Sequence, residues 1–225
     1  MLTLIVPTLN AAHGLEASLR AAAVPPTSEI IVVDGGSGDA SVAIANACGA
    51  RVLSTSPSRG RQLAVGGEAA RNHWLLFLHA DTVLQKGWGE AAAAFMAEPR
   101  NVRRAAVFAF QLDDPSAEAR RLERRVAWRV KCFGLAYGDQ GLLLAKDYYL
   151  SLGGYRPIPI MEDVDLVRRI GKPRIEVLPA FAVTSAARWR RQGWRFRSAW
   201  NLFCLALYYL GAPPEKIARI YGRMP

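Results

Sequence analysis

The sequence predicts an α/β fold, a mixed and mostly parallel sheet flanked by helices on both faces. Two observations carry this. The runs EIIVVD (29–34) and WLLFLH (74–79) are short and apolar on both faces, as strands covered on both sides must be. Helical stretches separate such runs at intervals of roughly 20 residues, the rhythm of βαβ units.

Taken in order, an apolar run at 3–7 leads through a loop to a helical stretch at 14–23. The strand at 29–34 is closed by Gly35-Gly36, and Asp39 or Ser37 is placed to cap a helix reaching Ala47. A brief strand at 51–53, a helix over 59–72 and the strand at 74–79 follow. Beyond Asn101 the alternation loosens: a strand at 105–112, a basic helix from about Ser116, a strand at 141–145, a helix over 161–170 and a strand at 174–178. Two apolar helices finish the chain. No internal repeat, low-complexity segment or linker interrupts it, so 1–225 reads as one domain.

Composition narrows the class. With 51% hydrophobic residues, wholesale disorder is excluded. The opening MLTLIVPTLN lacks a basic n-region and a cleavage site, so no secretory signal is expected. Cys48, Cys132 and Cys204 show no paired spacing, which fits neither a disulfide framework nor a cysteine zinc site; a cytoplasmic setting is expected. Charge is uneven: residues 1–100 hold 7 basic and 8 acidic side chains, the remainder 22 and 11. That asymmetry points either to an anionic partner of the C-terminal half or to arginine-solvated helix faces.

An ordinary dinucleotide fold places a glycine-rich loop after its first strand. Here PTLN follows the first strand with no glycine before Gly14, and there is no GxxxxGK[ST] loop. A bound diphosphate therefore needs another positive partner. A magnesium or manganese ion held by carboxylates supplies one. Asp34, Asp81 and Asp163 stand at strand ends or helix starts, where α/β sheets open their binding crevice. Each also has a structural reading: a turn former, a helix cap and a first-turn acid that complements the helix dipole.

The blocks IVPTLN (5–10), EIIVVDGGSGD (29–39), LLFLHADT (75–82), YGDQGLLL (137–144) and GGYRPIPIMEDVDLVRRI (153–170) together resemble the family 2 glycosyltransferases of the GT-A fold, over essentially the whole chain. The GDQG, MEDV and HADT wording is most similar to the rSAM/selenodomain-associated branch, also called arsenosugar-biosynthesis glycosyltransferases. The resemblance implies a nucleotide-binding half (1–100) and an acceptor-binding half (101–225) with C-terminal helices. It implies inverting transfer of a sugar from a nucleotide-diphospho-sugar, by family habit a UDP-sugar, to an acceptor hydroxyl with a divalent cation, Mn²⁺ or Mg²⁺.

By the same resemblance, Pro7, Thr8 and Asp34 line the base and ribose pocket. His79-Ala80-Asp81 occupies the place of the DXD motif, with Asp81 the metal carboxylate and His79 standing where the first aspartate is expected. His79 then touches the ribose, joins the metal or packs at a strand end. Arg59 and Arg61 approach the donor, or solvate a helix start; a planar guanidinium suits phosphate oxygens. Asp163 is the general base, with Glu162 orienting it or meeting the acceptor and Asp165 a rival. Asp139 and Gln140 line the sugar or acceptor pocket. SAARW (185–189) resembles the QxxRW motif of processive relatives with serine for glutamine, so Arg188 meets diphosphate, Trp189 stacks on an acceptor, and single transfer is expected.

The tail RWRRQGWRFRSAW (188–200) followed by NLFCLALYYL (201–210) has the composition of an interfacial segment on anionic lipid. Its apolar stretch of 14 residues makes about 21 Å of helix, short of the ~30 Å hydrocarbon core. A core helix, a dimer contact and a peripheral membrane anchor through 188–210 all fit; an anchor favours a polyprenyl-phosphate acceptor. Two rivals are weaker. A sugar-phosphate nucleotidyltransferase needs a glycine-rich basic loop that PTLNAAHG does not supply. For a nucleic-acid binder, the sequence has no helix-turn-helix, RNP-type or zinc signature.

Overall fold

In the computed structural model, which describes residues 1–222, the apolar runs lie side by side in one eight-stranded sheet. The strands are β1 (Leu2–Thr8), β2 (Thr27–Asp34), β3 (Arg51–Ser54), β4 (Trp74–Phe77), β5 (Thr82–Leu84), β6 (Ala105–Leu112), β7 (Leu142–Ala145) and β8 (Ile175–Thr184). Their order is β3-β2-β1-β4-β7-β6-β8-β5. The β3-β2-β1-β4 half is parallel, β7 runs antiparallel between β4 and β6, and β6 and β8 are again parallel.

The chain winds outward from β1 to β2 and β3, then crosses back to β4 on the other side of β1. That reversal makes β1 and β4 a topological switch point, and the crevice beyond their carboxyl ends is the natural ligand site.

The helices are α1 (Ala12–Ala22), α2 (Ser41–Ala47), α3 (Arg59–Ala69), α4 (Trp88–Ala97), α5 (Ala117–Phe133), α6 (Lys146–Ser151), α7 (Glu162–Ile170), α8 (Ala187–Gln192), α9 (Trp194–Tyr209) and α10 (Pro214–Tyr221). The core is continuous through β1, β2, β4, β6 and β7: Leu4, Ile5, Val32, Leu75, Leu76, Phe108 and Leu143 are fully sequestered. Each such side chain contributes roughly 1.5–3 kcal/mol of transfer free energy. Helix α3 lies close enough on the sheet that a methyl at Gly66 would overlap Ile5 Cγ2. Glycine there lets the C-terminal half of α3 pack directly on β1 and β2.

The sequence reading differs from the structure in definable places. Helix α3 ends at Ala69, not 72, and α7 begins at Glu162, because Met161 is left-handed (φ 64°) and cannot join it. Asp39 does not cap α2 conventionally. Its carboxylate accepts Ser41 N at 2.9 Å on one oxygen and Ala12 N at 3.0 Å on the other, so it ties the starts of α1 and α2 together. Strand β8 runs on to Thr184 across a bulge at Pro179-Ala180. The elements β5, α4 and α6 were not anticipated.

The C-terminal apolar stretch is only partly a core helix. Along α9, Arg197 and Cys204 are buried, and Cys204 packs with Ile160 and Ile217 of α10 in a small second cluster. Leu202, Phe203, Tyr209 and Leu210 face outward. Among the described residues, no helix is long and apolar enough to cross a membrane.

Candidate active site

The crevice at the switch point gathers side chains from widely separated parts of the chain. Arg59, His79, Asp81, Asp139, Asp163, Arg188 and Trp189 all line one cavity, together with Tyr137, Arg197, Asn201 and Tyr221. Arg59 comes from the first turn of α3, His79 and Asp81 from the loop after β4, and Asp139 from the turn before β7. Asp163 comes from the first turn of α7, and Arg188 and Trp189 from α8.

Backbone geometry explains the convergence. Leu78 N donates to Ile5 O at 3.0 Å, prolonging the β1–β4 pairing by one step, and the chain then turns so that Thr82 N reaches His79 O at 3.2 Å. Gly14 of α1 sits directly against Ala80 O and Asp81 Cα, so helix α1 backs this turn. Gly138 lies flat on the His79 ring: a methyl there would overlap Nε2. The Gly138 amide also donates to Asp163 Oδ2 at 3.0 Å. One turn thus fixes both the imidazole on the β4 side and the carboxylate at the head of α7.

The electrostatics are uneven. Burial, reinforced by the Arg59 and Arg188 cations, pushes the His79 imidazole down to about 3, so it is neutral under ordinary conditions. Burial pushes the Asp139 carboxyl up to about 6, with the Asp163 and Asp81 charges adding to the rise and Arg129 opposing it. Glu162 is fully buried and held by Arg59 Nε at 2.5 Å; burial raises its carboxyl, against the pull of that guanidinium. Asp165, the rival base, is turned the other way. Its two oxygens take Arg156 Nη1 at 3.0 Å and Arg169 Nη2 at 2.5 Å.

Other predicted residues lie elsewhere. Pro7 and Thr8 end β1 beside Asp34 at the end of β2. The Asp34 carboxylate accepts Gly36 N (2.8 Å), Ser37 N (2.9 Å), Ser37 Oγ (2.5 Å) and Thr8 Oγ1 (3.3 Å). Burial raises its pKa, but the hydrogen bonds from Ser37, Gly36 and Thr8 outweigh that and leave it lowered. The carboxylate therefore accepts four hydrogen bonds from within the protein, three from its own loop and one from Thr8 of β1. Gln62, which no motif in the sequence marks, locks this corner by donating to Thr8 O (2.7 Å) and Val33 O (2.8 Å). Arg61, two residues beyond Arg59 on α3, is exposed and away from the cavity wall, since a two-residue step turns a helix to its far side. Ala80 is buried beneath the turn. Gln140 is also buried, its amide donating to Phe108 O at 3.0 Å.

Tyr137, Asn201, Arg197 and Tyr221 complete the wall without having been singled out. Tyr137 opens the YGDQGLLL segment; the other three come from α9 and α10, whose docking no local pattern announces. Arg197 donates to Tyr221 Oη at 2.9 Å and sits 5.4 Å from the Trp189 ring, which stacks on Trp194.

The donor set suits a hard dication. Three carboxylates share one cavity, Asp139 Oδ1 is buried with no hydrogen-bond partner, and His79 is held neutral. Among the described residues no three acidic, histidine or cysteine side chains close round an ion by themselves. An ion here would complete its shell with ligand oxygens.

The mixed sheet with its switch-point crevice is the GT-A architecture. Residues 3–151 match the model of Glycosyl transferase family 2, and the chain belongs to that family. No curated protein matches the chain. Among solved structures, Staphylococcus aureus TarS 1–349 with UDP-GlcNAc is 16% identical with a TM-score of 0.62, the match covering 81% of this chain and 58% of that one. Glucosyl-3-phosphoglycerate synthase from Mycobacterium tuberculosis, in complex with Mn²⁺, UDP-glucose and phosphoglyceric acid, is 18% identical with a TM-score of 0.58. That match covers 82% of this chain and 70% of the synthase. The chain spans 60% of TarS 1–349 and 37% of the longer TarS structure.

Proposed function

We propose that the protein transfers a sugar, with inversion, from a nucleotide-diphospho-sugar to an acceptor hydroxyl, and that the donor is a UDP-sugar. The single observation that carries this is the shared cavity, which Asp163, Asp81, His79, Arg59 and Arg188 line together. Two of the structural neighbours hold UDP-sugars and one of these also holds Mn²⁺, which supports the donor class.

In this reading the first half of the chain, from β1 to β4, presents the donor end. Helices α5 and α7 to α10 present the acceptor end. Arg59 and Arg188 bind diphosphate oxygens. Asp163, its Oδ2 held by the Gly138 amide, takes the proton of the attacking hydroxyl on the face away from the leaving group. Glu162 positions Arg59 and is not itself the base. Asp81, with His79 beside it, would hold Mn²⁺ or Mg²⁺, and such an ion supplies Lewis-acid neutralisation of the charge that builds on a departing diphosphate. The GDQG, MEDV and HADT blocks support placing the chain in the rSAM/selenodomain-associated branch. The outward apolar side chains of α9, next to Arg188 to Arg197, support a peripheral membrane contact at the cytoplasmic face.

The test is an assay of transfer and donor hydrolysis with UDP-, GDP- and dTDP-sugars, with and without Mn²⁺. Cleavage of a UDP-sugar that needs the metal supports the reading. No turnover of any donor under either condition sinks it.

A further inference from the structure

A second cavity, of about 940 Å³, adjoins the crevice and shares Tyr137, Asp139, Trp189, Asn201 and Leu205 with it. It lies between α5, the end of α7, Trp189 of α8 and α9, at the upper end of the size range of small-molecule sites. Its walls are apolar: Phe110, Val126, Phe133, Leu202, Leu205 and Tyr209. At the end that meets the crevice, three buried polar atoms have no hydrogen-bond partner: Arg129 Nη2, Asp139 Oδ1 and Asn201 Oδ1. Leaving a buried polar atom unpaired is unfavourable, so three at one junction mark a place where a ligand's polar group completes the set. Arg129 is held there by stacking on the Tyr137 ring, 3.5 Å from its centroid, and by donating to Leu135 O at 2.8 Å. At the outer mouth stand Arg125, Arg168 and Lys172.

We propose that this cavity is the acceptor subsite and that the acceptor is an amphiphile. Its hydroxyl-bearing head lies between Arg129, Asp139 and Asn201, within reach of the crevice, and its hydrocarbon body fills the space between α5 and α9. The assignment rests on the transferase reading for the direction in which the head points. It does not rest on that reading for the binding itself.

The experiment uses the full chain and alkyl β-glucosides of six, eight and ten carbons as probes, below their micelle concentrations, with methyl glucoside as the tailless control. Affinity should rise about tenfold for each two methylenes added, given ~0.8 kcal/mol per buried methylene. Phe133→Asp and Leu202→Asp, at positions 56% and 65% exposed and so tolerant of a charge, should remove the chain-length dependence. The filling variant Val126→Trp should do the same. Protection of all variants by UDP against thermal unfolding, equal to wild type, confirms that they are folded with the donor site intact. Repeating the binding with the decyl probe in phosphatidylglycerol vesicles separates a bilayer-resident acceptor, bound better there, from a dispersed one, bound better free. Affinity independent of chain length in the wild-type protein, or unchanged in both Asp variants, overturns the proposal. Chain-length dependence without any UDP protection leaves the amphiphile site standing and removes the transferase reading instead.

Discussion

The Gly138 amide donates to Asp163 Oδ2 at 3.0 Å, while the same residue's α-carbon lies against His79 Nε2. A side chain from the end of β4 and another from the head of α7 are thus referenced to one backbone unit. Met161, left-handed at φ 64°, delivers α7 to that unit at the required angle. Backbone strain of this kind, of order 1–3 kcal/mol, persists only where the surroundings fix it.

Removing the proposed base tests the roles directly. Asp163→Asn keeps an acceptor oxygen for the Gly138 amide, so the fold and UDP binding should be nearly unchanged. Turnover should fall by about 10²–10⁴-fold, the usual worth of a positioned base. Parallel measurements of kcat and of UDP affinity separate the two; undiminished turnover would assign the base elsewhere.

The Gly138 contact makes its own prediction. Gly138→Ala needs no forbidden backbone angle, since Gly138 is not among the positive-φ glycines, yet its methyl meets the His79 ring. The overlap should cost about 1–3 kcal/mol of stability and weaken UDP binding. Adding His79→Ala to it should restore most of the stability but not the binding, as read by denaturant unfolding and calorimetry.

Arg59 and Glu162 act as a pair. Glu162 is buried and Arg59 Nε is 2.5 Å from it. Arg59→Ala should cost roughly 3–5 kcal/mol, because it strands a buried carboxylate. Arg59→Ala with Glu162→Gln should recover much of that loss, while affinity for UDP stays low in both. Recovery of UDP affinity in the double variant would show that Arg59 serves only to neutralise Glu162.

Asp139 gives a pH signature. Its folded value near 6 lies above the unfolded value near 3.9, so its charged form is disfavoured by folding. Its favourable contribution is fully present below pH ~4 and is lost as pH rises through about 6. Asp139→Asn should therefore raise stability by about 1–3 kcal/mol at pH 7.5 and leave it nearly unchanged at pH 4. Thermal unfolding at the two pH values checks the sign.

The parallel half of the fold was legible because buried parallel strands are apolar on both faces, and EIIVVD and WLLFLH carry that pattern without ambiguity. The antiparallel and irregular half was less so. Strand β8 extends past the expected 174–178 because Pro179, a residue central strands reject, is accommodated in a bulge opposite Phe108 and Ala109. Strand β5, three residues long, is defined by pairing with β8 across the chain rather than by its own pattern. At the site, acidic residues just past a strand or at the head of a helix are visible from position alone, Asp81 after β4 and Asp163 in the first turn of α7 among them. Asn201, Arg197 and Tyr221 were not, because they reach the crevice through the docking of α9 and α10. Asp34 is visible as a residue at a strand end, but the filling of its carboxylate by Gly36, Ser37 and Thr8 depends on loop geometry and on β1 lying beside β2, which no local pattern announces.

The central claim is that Asp81 and its neighbours bind a nucleoside diphosphate together with a divalent cation. Calorimetric titration of UDP, with and without Mn²⁺, into the wild-type protein and Asp81→Asn tests it most directly. The account predicts that Mn²⁺ tightens UDP binding at least about tenfold in the wild type, or ~1.4 kcal/mol, and that the gain disappears in the variant. UDP binding that is absent in the wild type, or that gains equally from Mn²⁺ in both proteins, contradicts it.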